Sequence, residues 1–325
     1  MLSIKDRKLL LELEQDARAS LKSLGKKIGC SSDNVKYRLD LLQKKEVIHA
    51  LLTFVDCARL GFTDYGLYIT TADMPPQQEA EFIARVKKHD HVQYFGRHGG
   101  TYDFIISILA YDMHHLDSMM SALLNPIAAF IVEKTVIPRV GLSHFPRAYL
   151  GKTPASTLPG FGGTVSHESL DEIDHKILTH LSQDARLPLT ELGKKTKIPI
   201  STLSSRIRAL QALGIINGFF AWISPISYGR SIFNVLLSTS HLTASDERKL
   251  KVYCQQSKNV SILIKTVGKW DYELIIEVEE QQELQKFIQG LRSLLGPAFL
   301  GSELLPNFKE YKYVLYPFQK NPSLR

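Results

Sequence analysis

Lys36, Arg38, Arg206 and Arg208 lie on two stretches of helical periodicity, and they are the side chains in this sequence best suited to meet phosphates. Around them stand Ser32, Asp33, Asn34 and Tyr37 on the first stretch, and Ser201, Thr202, Ser204 and Ser205 on the second. Their hydroxyl, amide and carboxylate groups can hydrogen-bond to base edges. At ~100° per residue, Val35, Leu39 and Leu42 mark the buried side of the first stretch, so Asp33, Lys36, Tyr37 and Asp40 turn outward. Ser32, Asn34 and Lys44 flank that face. Arg38 sits about 60° off the apolar seam, within reach of either a backbone phosphate or a neighbouring helix. The second stretch repeats the seam as Leu203, Ile207 and Leu210, with Ser201, Ser204, Ser205 and Arg208 outward, Thr202 flanking and Arg206 in the place of Arg38.

The elements that carry these residues are duplicated. "QDARASLKSLGKKI" (15–28) returns as "QDARLPLTELGKKT" (183–196), and the offset of 168 then holds without a gap through most of the chain. Asp6 falls on Asp174, Arg38 on Arg206, and Gly100-x-Tyr102-Asp103 on Gly268-x-Trp270-Asp271. Each copy opens with three short helices, for which Ser20 and Ser31 are expected N-caps and Gly29-Cys30 a tight turn. Pro199 replaces Ser31 in the second copy, which points to Ser201 as the cap there. The phrase belongs to a basic three-helix unit whose last helix is expected to enter the DNA major groove, as in a winged or extended helix-turn-helix. An extended stretch follows each unit, "IHALLTFVD" and "INGFFAWIS", and then strand and helix signals in the order βαββαβ. The expected fold is α+β, a tandem duplication of a winged helix-turn-helix domain (1–49, 170–217) followed by a ferredoxin-like domain (50–150, 218–325). Residues 151–169, rich in Gly, Pro, Ser and Thr, read as the linker.

Charge and composition agree with that division. Of a net charge of +7, six units fall within residues 1–49 and 170–217. The three cysteines are far apart, so neither a disulfide framework nor a thiolate metal site is expected. The histidines of the first copy, among them His89, His91, His98 and His144, have no metal-motif spacing, and no cofactor or metal is expected. No apolar run is long enough for a membrane span, the start "MLSIKDRKLL" is charged at once and reads as no signal peptide, and with the separated cysteines no membrane contact and a cytoplasmic location are expected.

The run "IDHKILTHLSQDARLPLTELGKKTKIPISTLSSRIRALQALGIING", followed by a split βαβ unit with Gly-x-aromatic-Asp at its hairpin, resembles the Lrp/AsnC family of feast/famine regulators, twice over. The resemblance implies a sequence-specific regulator that binds double-stranded DNA and senses a small molecule, commonly an amino acid. It places the effector at the hairpins, on Gly100, Thr101, Tyr102 and Asp103, and on Gly268, Lys269, Trp270 and Asp271, with the two aspartates holding a ligand ammonium. Family members usually carry one unit and pair through their sheet domains, so a duplicated chain is expected to form an intramolecular pseudo-dimer, open to higher homo-oligomers. Two alternatives stand beside this reading. The sirohaem decarboxylases share the two-domain build but carry a His-Asn-Tyr run and an Asn-x-Trp-Phe run, where this chain has "VQYFGRHGGTYDF" and "VSILIKTVGKWDYEL". An architectural DNA binder without effector is the other.

Overall fold

The computed structural model describes residues 2–152 and 158–322; part of the expected linker, 153–157, lies outside the described residues. Helices α1 (Ile4–Gln15), α2 (Leu21–Ile28) and α3 (Ser32–Lys44) open the chain. Ser20 and Ser31 cap the latter two as the sequence predicts, each hydroxyl accepting the backbone N–H three residues on. Strand β1 (Ile48–Val55) leads into β2 (Thr63–Thr71), α4 (Pro76–Lys88), β3 (Val92–His98), β4 (Phe104–Ala110), α5 (Met113–Leu124) and β5 (Ile131–His144). A short β6 (Gly160–Gly162) precedes the second copy. That copy runs α6 (Glu172–Leu181), α7 (Leu189–Thr196), α8 (Ile200–Ala212), β7 (Ile216–Ile223), β8 (Ser231–Thr239), α9 (Ala244–Gln256), β9 (Val260–Thr266), β10 (Tyr272–Val278), α10 (Gln281–Leu295) and β11 (Phe299–Tyr313).

Two local expectations need correction. Helix α8 begins directly behind Pro199, which makes no side-chain cap bond, so Ser201 lies inside the helix and does not cap it. The proline ring, with φ already near −58°, sets the helix entry instead. The linker is also not wholly irregular, because β6 pairs antiparallel with Gly141–Ser143 of β5.

Within each copy the strand order is that of a ferredoxin-like sheet, β5-β2-β4-β3 and β11-β8-β10-β9. The last strand of each is unusually long and changes partner midway. β5 pairs with β2 up to Arg139 and from there with β9 of the other copy. β11 pairs with β8 up to Asn307 and then with β3. These exchanges join the two sheets at both edges into a closed ring of eight strands. Helices α4 and α5 cover one sheet's outer face through Phe82, Val86, Leu116 and Leu123. The alternate residues point inward, where Tyr68, Tyr102 and Ile105 meet Leu236, Trp270 and Leu305 of the other copy.

Strands β1 and β7 pair only with each other, antiparallel, as a ribbon between the ring and the helical heads. Leu51, Val55, Phe219, Ala221 and Ile223 join the core of the heads, whereas Leu52, Phe54 and Phe220 face the ring. Burial on both faces is why these stretches read as continuous apolar runs without alternation.

The repeated phrase acts at this junction. Ala17 donates its N–H to the Phe219 carbonyl (2.9 Å) and Ala185 its own to Leu51 (2.7 Å), so each head docks on the strand of the other copy. Arg18 Nη1 donates to the Ala185 carbonyl (2.6 Å), and Arg186 Nη1 donates to Ala17 and Ala19 (2.7 Å each). Asp16 and Asp184 fold the turns by accepting the N–H of Arg18 and Arg186. The sequence reading attached the whole phrase to the DNA-binding unit; its Gln-Asp-Ala-Arg part instead clasps one head to the other.

Two positions in each copy need a left-handed backbone. After the second helix it is Gly29 (φ 72°) in one copy and Lys197 (φ 60°) in the other; before the first strand it is Glu46 (φ 54°) and Gly214 (φ 69°). A side chain in that region costs about 1 kcal/mol that glycine avoids. Glu46→Gly and Lys197→Gly are each expected to raise stability by up to about 1 kcal/mol, read as a higher urea midpoint, and Gly214→Ala to lower it.

Candidate nucleic-acid interface

On α3, Val35, Leu39 and Leu42 are buried while Asp33, Lys36, Tyr37 and Asp40 are exposed, Tyr37 by 64%. Ser32 and Asn34 are half-buried at the flanks. On α8 the seam of Leu203, Ile207 and Leu210 is buried, Ser201, Ser205 and Arg208 are exposed, and Thr202 and Ser204 are half-buried. Arg208 lies along its own helix, Nη2 donating to Ser204 Oγ (3.1 Å). The two faces differ in chemistry. One offers an ammonium, a phenol and two carboxylates, the other hydroxyls and one guanidinium.

Arg38 and Arg206 take the second of the two options open to them and turn onto the neighbouring helix. Arg38 Nη1 donates to Asp6 Oδ1 (2.6 Å) and Ser3 Oγ (3.1 Å), and its Nε to Asn34 Oδ1 (2.8 Å). Asn34 is thereby engaged in holding Arg38. In the second copy Arg206 pairs with Asp171 (2.7 Å) and Asp174 (3.3 Å). Burial pushes the Asp6 carboxyl up, but the bonds from Ser3 and Arg38 together outweigh it and hold it below its ordinary value. These pairs brace α3 and α8 against the first helix of each head.

The hairpin residues are also directed inward. Asp103 Oδ2 accepts the N–H (2.7 Å) and hydroxyl (2.9 Å) of Thr71, and Asp271 Oδ2 does the same with Thr239 (2.7 and 3.0 Å). Tyr102 and Trp270 are buried at the join of the two sheets, both against Tyr68. Gly100, Thr101, Gly268 and Lys269 stay exposed, and Lys269 Nζ reaches across to Tyr102 Oη (3.0 Å). The ammonium-holding role expected for Asp103 and Asp271 thus meets carboxylates already bound to their own chain, because a strand end beside each hairpin needs its N–H and hydroxyl satisfied.

Sequence reasoning missed a buried polar network between the copies. Arg139 Nη2 donates to Tyr68 Oη (3.0 Å) and Glu273 Oε2 (2.8 Å), and Asn234 Nδ2 donates to Glu273 Oε1 (2.7 Å). Burial works against the Arg139 charge, yet Glu273, Tyr68 and Asp64 outweigh it and raise its pKa. Nearby, Arg147 holds Glu277 (2.8 Å) and Glu14. One signal was available: at the offset of 168, Glu273 and Glu277 fall on Ile105 and Leu109, so charge stands in one copy where the other is apolar. Among the described residues no cluster of His, Cys, Asp or Glu could hold a metal ion, and no helix is long and apolar enough to cross a membrane.

Comparison with known proteins follows the same division. Residues 2–43 match the AsnC-type helix-turn-helix domain, and residues 170–217 match a winged helix-turn-helix DNA-binding family. The chain is 31% identical over 127 residues to the HTH-type transcriptional regulator FL11 of Pyrococcus horikoshii, covering 39% of this chain and 83% of the relative. It is 30% identical over 133 residues to the HTH-type transcriptional regulator AldR of Mycolicibacterium smegmatis, covering 40% and 77%. Among solved structures, the siroheme decarboxylase NirDL shares the fold over 98% of this chain and 96% of its own, with a TM-score of 0.63 at 12% identity.

The bracing of α3 has a direct test. Arg38→Ala is expected to lower the stability of the protein by about 1–2 kcal/mol in urea unfolding, the cost of leaving Asp6 without its charged donor. It should leave the salt dependence of any DNA binding unchanged.

Proposed function

The chain belongs to the Lrp/AsnC family, and from that premise we propose that it is a sequence-specific DNA-binding transcriptional regulator whose single chain presents two unlike recognition helices. The observation that carries this reading is the pair of outward faces on α3 and α8, each exposed, each backed by a buried seam and each braced by an internal ion pair. Clustering of the positive charge in the two heads supports it, since phosphate contacts give both affinity and orientation on a duplex. The pseudo-two-fold relation of the heads suits two half-sites, and their different side chains suit half-sites that differ in sequence. Lys36 and Arg208 are the proposed phosphate contacts; Tyr37, Asp33, Ser201 and Ser205 are the proposed base readers. Such a protein works where DNA is, in the cytoplasm. A small-molecule effector belongs to the family reading, but with Asp103 and Asp271 bound to Thr71 and Thr239 it is to be sought away from those carboxylates.

A binding protein is favoured over an enzyme of the decarboxylase kind. At its hairpins this chain has "VQYFGRHGGTYDF" and "VSILIKTVGKWDYEL" in place of the His-Asn-Tyr and Asn-x-Trp-Phe runs of the decarboxylases, and its outward helix faces suit DNA.

Gel-shift titration against genomic fragments, then footprinting on the mapped site, tests the proposal. An imperfect palindrome is expected, and Lys36→Ala and Arg208→Ala should each make the log–log salt slope shallower by about one unit. A perfectly symmetric site bound by two chains through their first heads would overturn the two-headed reading.

A further inference from the structure

The cavity between the ribbon and the strand ring is not a packing accident of apolar residues. Its walls are aromatic: Phe54 and Phe220 come from the ribbon with ring centroids 6.0 Å apart, and Phe220 continues to Tyr313 at 6.0 Å. Tyr313 in turn meets Trp222 edge-on at 5.6 Å. Into this aromatic enclosure project acceptors. Glu310 has its Oε2 bonded by the Trp222 indole N–H (2.9 Å) and forms no ion pair among the described residues. Asn234 and Asn307, 2% and 6% exposed, line the same cavity, and among the described residues the Oδ1 of each lacks a partner at hydrogen-bond distance, although His98, its own ring nitrogens unpartnered, stands beside Asn234. Their amide nitrogens are already committed, to Glu273 and to Tyr94, so the acceptor assignment follows from the surroundings.

Charge counting gives the sign of the missing partner. The two arginines that line the cavity already face four carboxyl groups, Arg139 with Glu273 and Asp64, Arg147 with Glu277 and Glu14, so neither has charge to spare. His144 is held neutral at pH 7, burial driving its pKa down to about 4. Glu310 adds a fifth carboxyl group without an ion-pair partner of its own, and burial pushes it up although Trp222, Asn307 and the more distant Arg147 charge act the other way. Two orphaned acceptor oxygens and a carboxylate, set among ring faces, ask for a group that brings both a positive charge and N–H donors. Size sets the rest. A space of about 120 Å3 is a little less than benzene requires, which leaves room for roughly five non-hydrogen atoms. An amino acid is both too large and mismatched, because neither arginine that lines the cavity is free to take its carboxylate.

We propose that the cavity bounded by Phe54, Phe220, Trp222 and Tyr313 is a binding site for a small primary ammonium ion with a short apolar body, its charge on Glu310 and its N–H groups on Asn234 and Asn307. The site is formed jointly by both copies, since Phe54 comes from the first and Trp222, Asn234, Asn307 and Glu310 from the second. Nothing in it depends on whether the heads bind DNA.

Isothermal titration calorimetry on the full chain at pH 7, without DNA, provides the test, with isobutylammonium as probe and its neutral isostere 2-methylpropan-1-ol as control. Saturable one-to-one binding of the amine is expected, with the alcohol weaker by about tenfold or more and Glu310→Gln weakening the amine by a similar factor. Absence of saturable amine binding overturns the proposal, as does equal affinity for the alcohol, which needs no variant and therefore holds even should Glu310→Gln fail to fold. Unchanged amine affinity in a folded Glu310→Gln protein would place the binding elsewhere and equally refute it.

Discussion

The structure depends on strand ends that cannot be satisfied within one copy. β5 and β11 run past the sheets in which they start, and their second halves pair with β9 and β3 of the other copy, the short β6 lying on the far side of β5. In an isolated copy β3 would be an open edge and the β9-facing side of the far half of β5 a row of unpaired donors and acceptors, an arrangement that costs free energy when buried and invites aggregation when exposed. Exchange at both ends closes the ring, and closure fixes where the ribbon lies. The ribbon in turn fixes the heads, which share one apolar core and are clasped by Arg18 and Arg186. Orientation of α3 and α8 is thus decided by backbone pairing far from either helix.

How much of this could be read beforehand divides by sequence distance. The seams of α3 and α8, the caps at Ser20 and Ser31, the left-handed Gly29 and the βαββαβ order are local patterns, and each was legible from periodicity and residue type. The role of Gln-Asp-Ala-Arg was not, because what it touches lies some 167 residues away and no local rule links Arg18 to Ala185. Arg38 is an intermediate case. Its angle off the seam left two partners open, and the match of Asp6 with Asp174 in the self-alignment was the clue that both copies preserve the pair. The hairpin aspartates were placed correctly in the chain, but their Thr71 and Thr239 partners sit on another strand, so position was legible and function was not.

The ribbon brings the two working regions within one residue of each other. Along β1, Phe54 faces the cavity while its neighbours Thr53 and Val55 face the heads, Thr53 donating its hydroxyl to the Leu181 carbonyl of α6. Along β7, Trp222 faces the cavity between Ala221 and Ile223, which pack into the heads. A two-stranded ribbon buried on both sides has little room to bend independently on one side, because close-packed interiors transmit volume changes to their neighbours. Any adjustment of the aromatic wall is therefore felt by the surface on which the recognition helices stand.

Duplication within one chain also removes a restriction that falls on every protein built from two identical subunits. There, each side chain near the axis confronts its own mirror partner, so a carboxylate placed at the centre meets a second carboxylate and must be neutralised or excluded. Here Glu273 of the second copy meets Arg139 and Tyr68 of the first, and the place equivalent to Glu273 is Ile105. Glu310 likewise corresponds to Leu142, and Arg147 to Leu315. A charged interior of one handedness can be assembled in this way residue by residue, with the opposite half kept apolar as its mould, while the strand exchange that needs two-fold likeness stays intact.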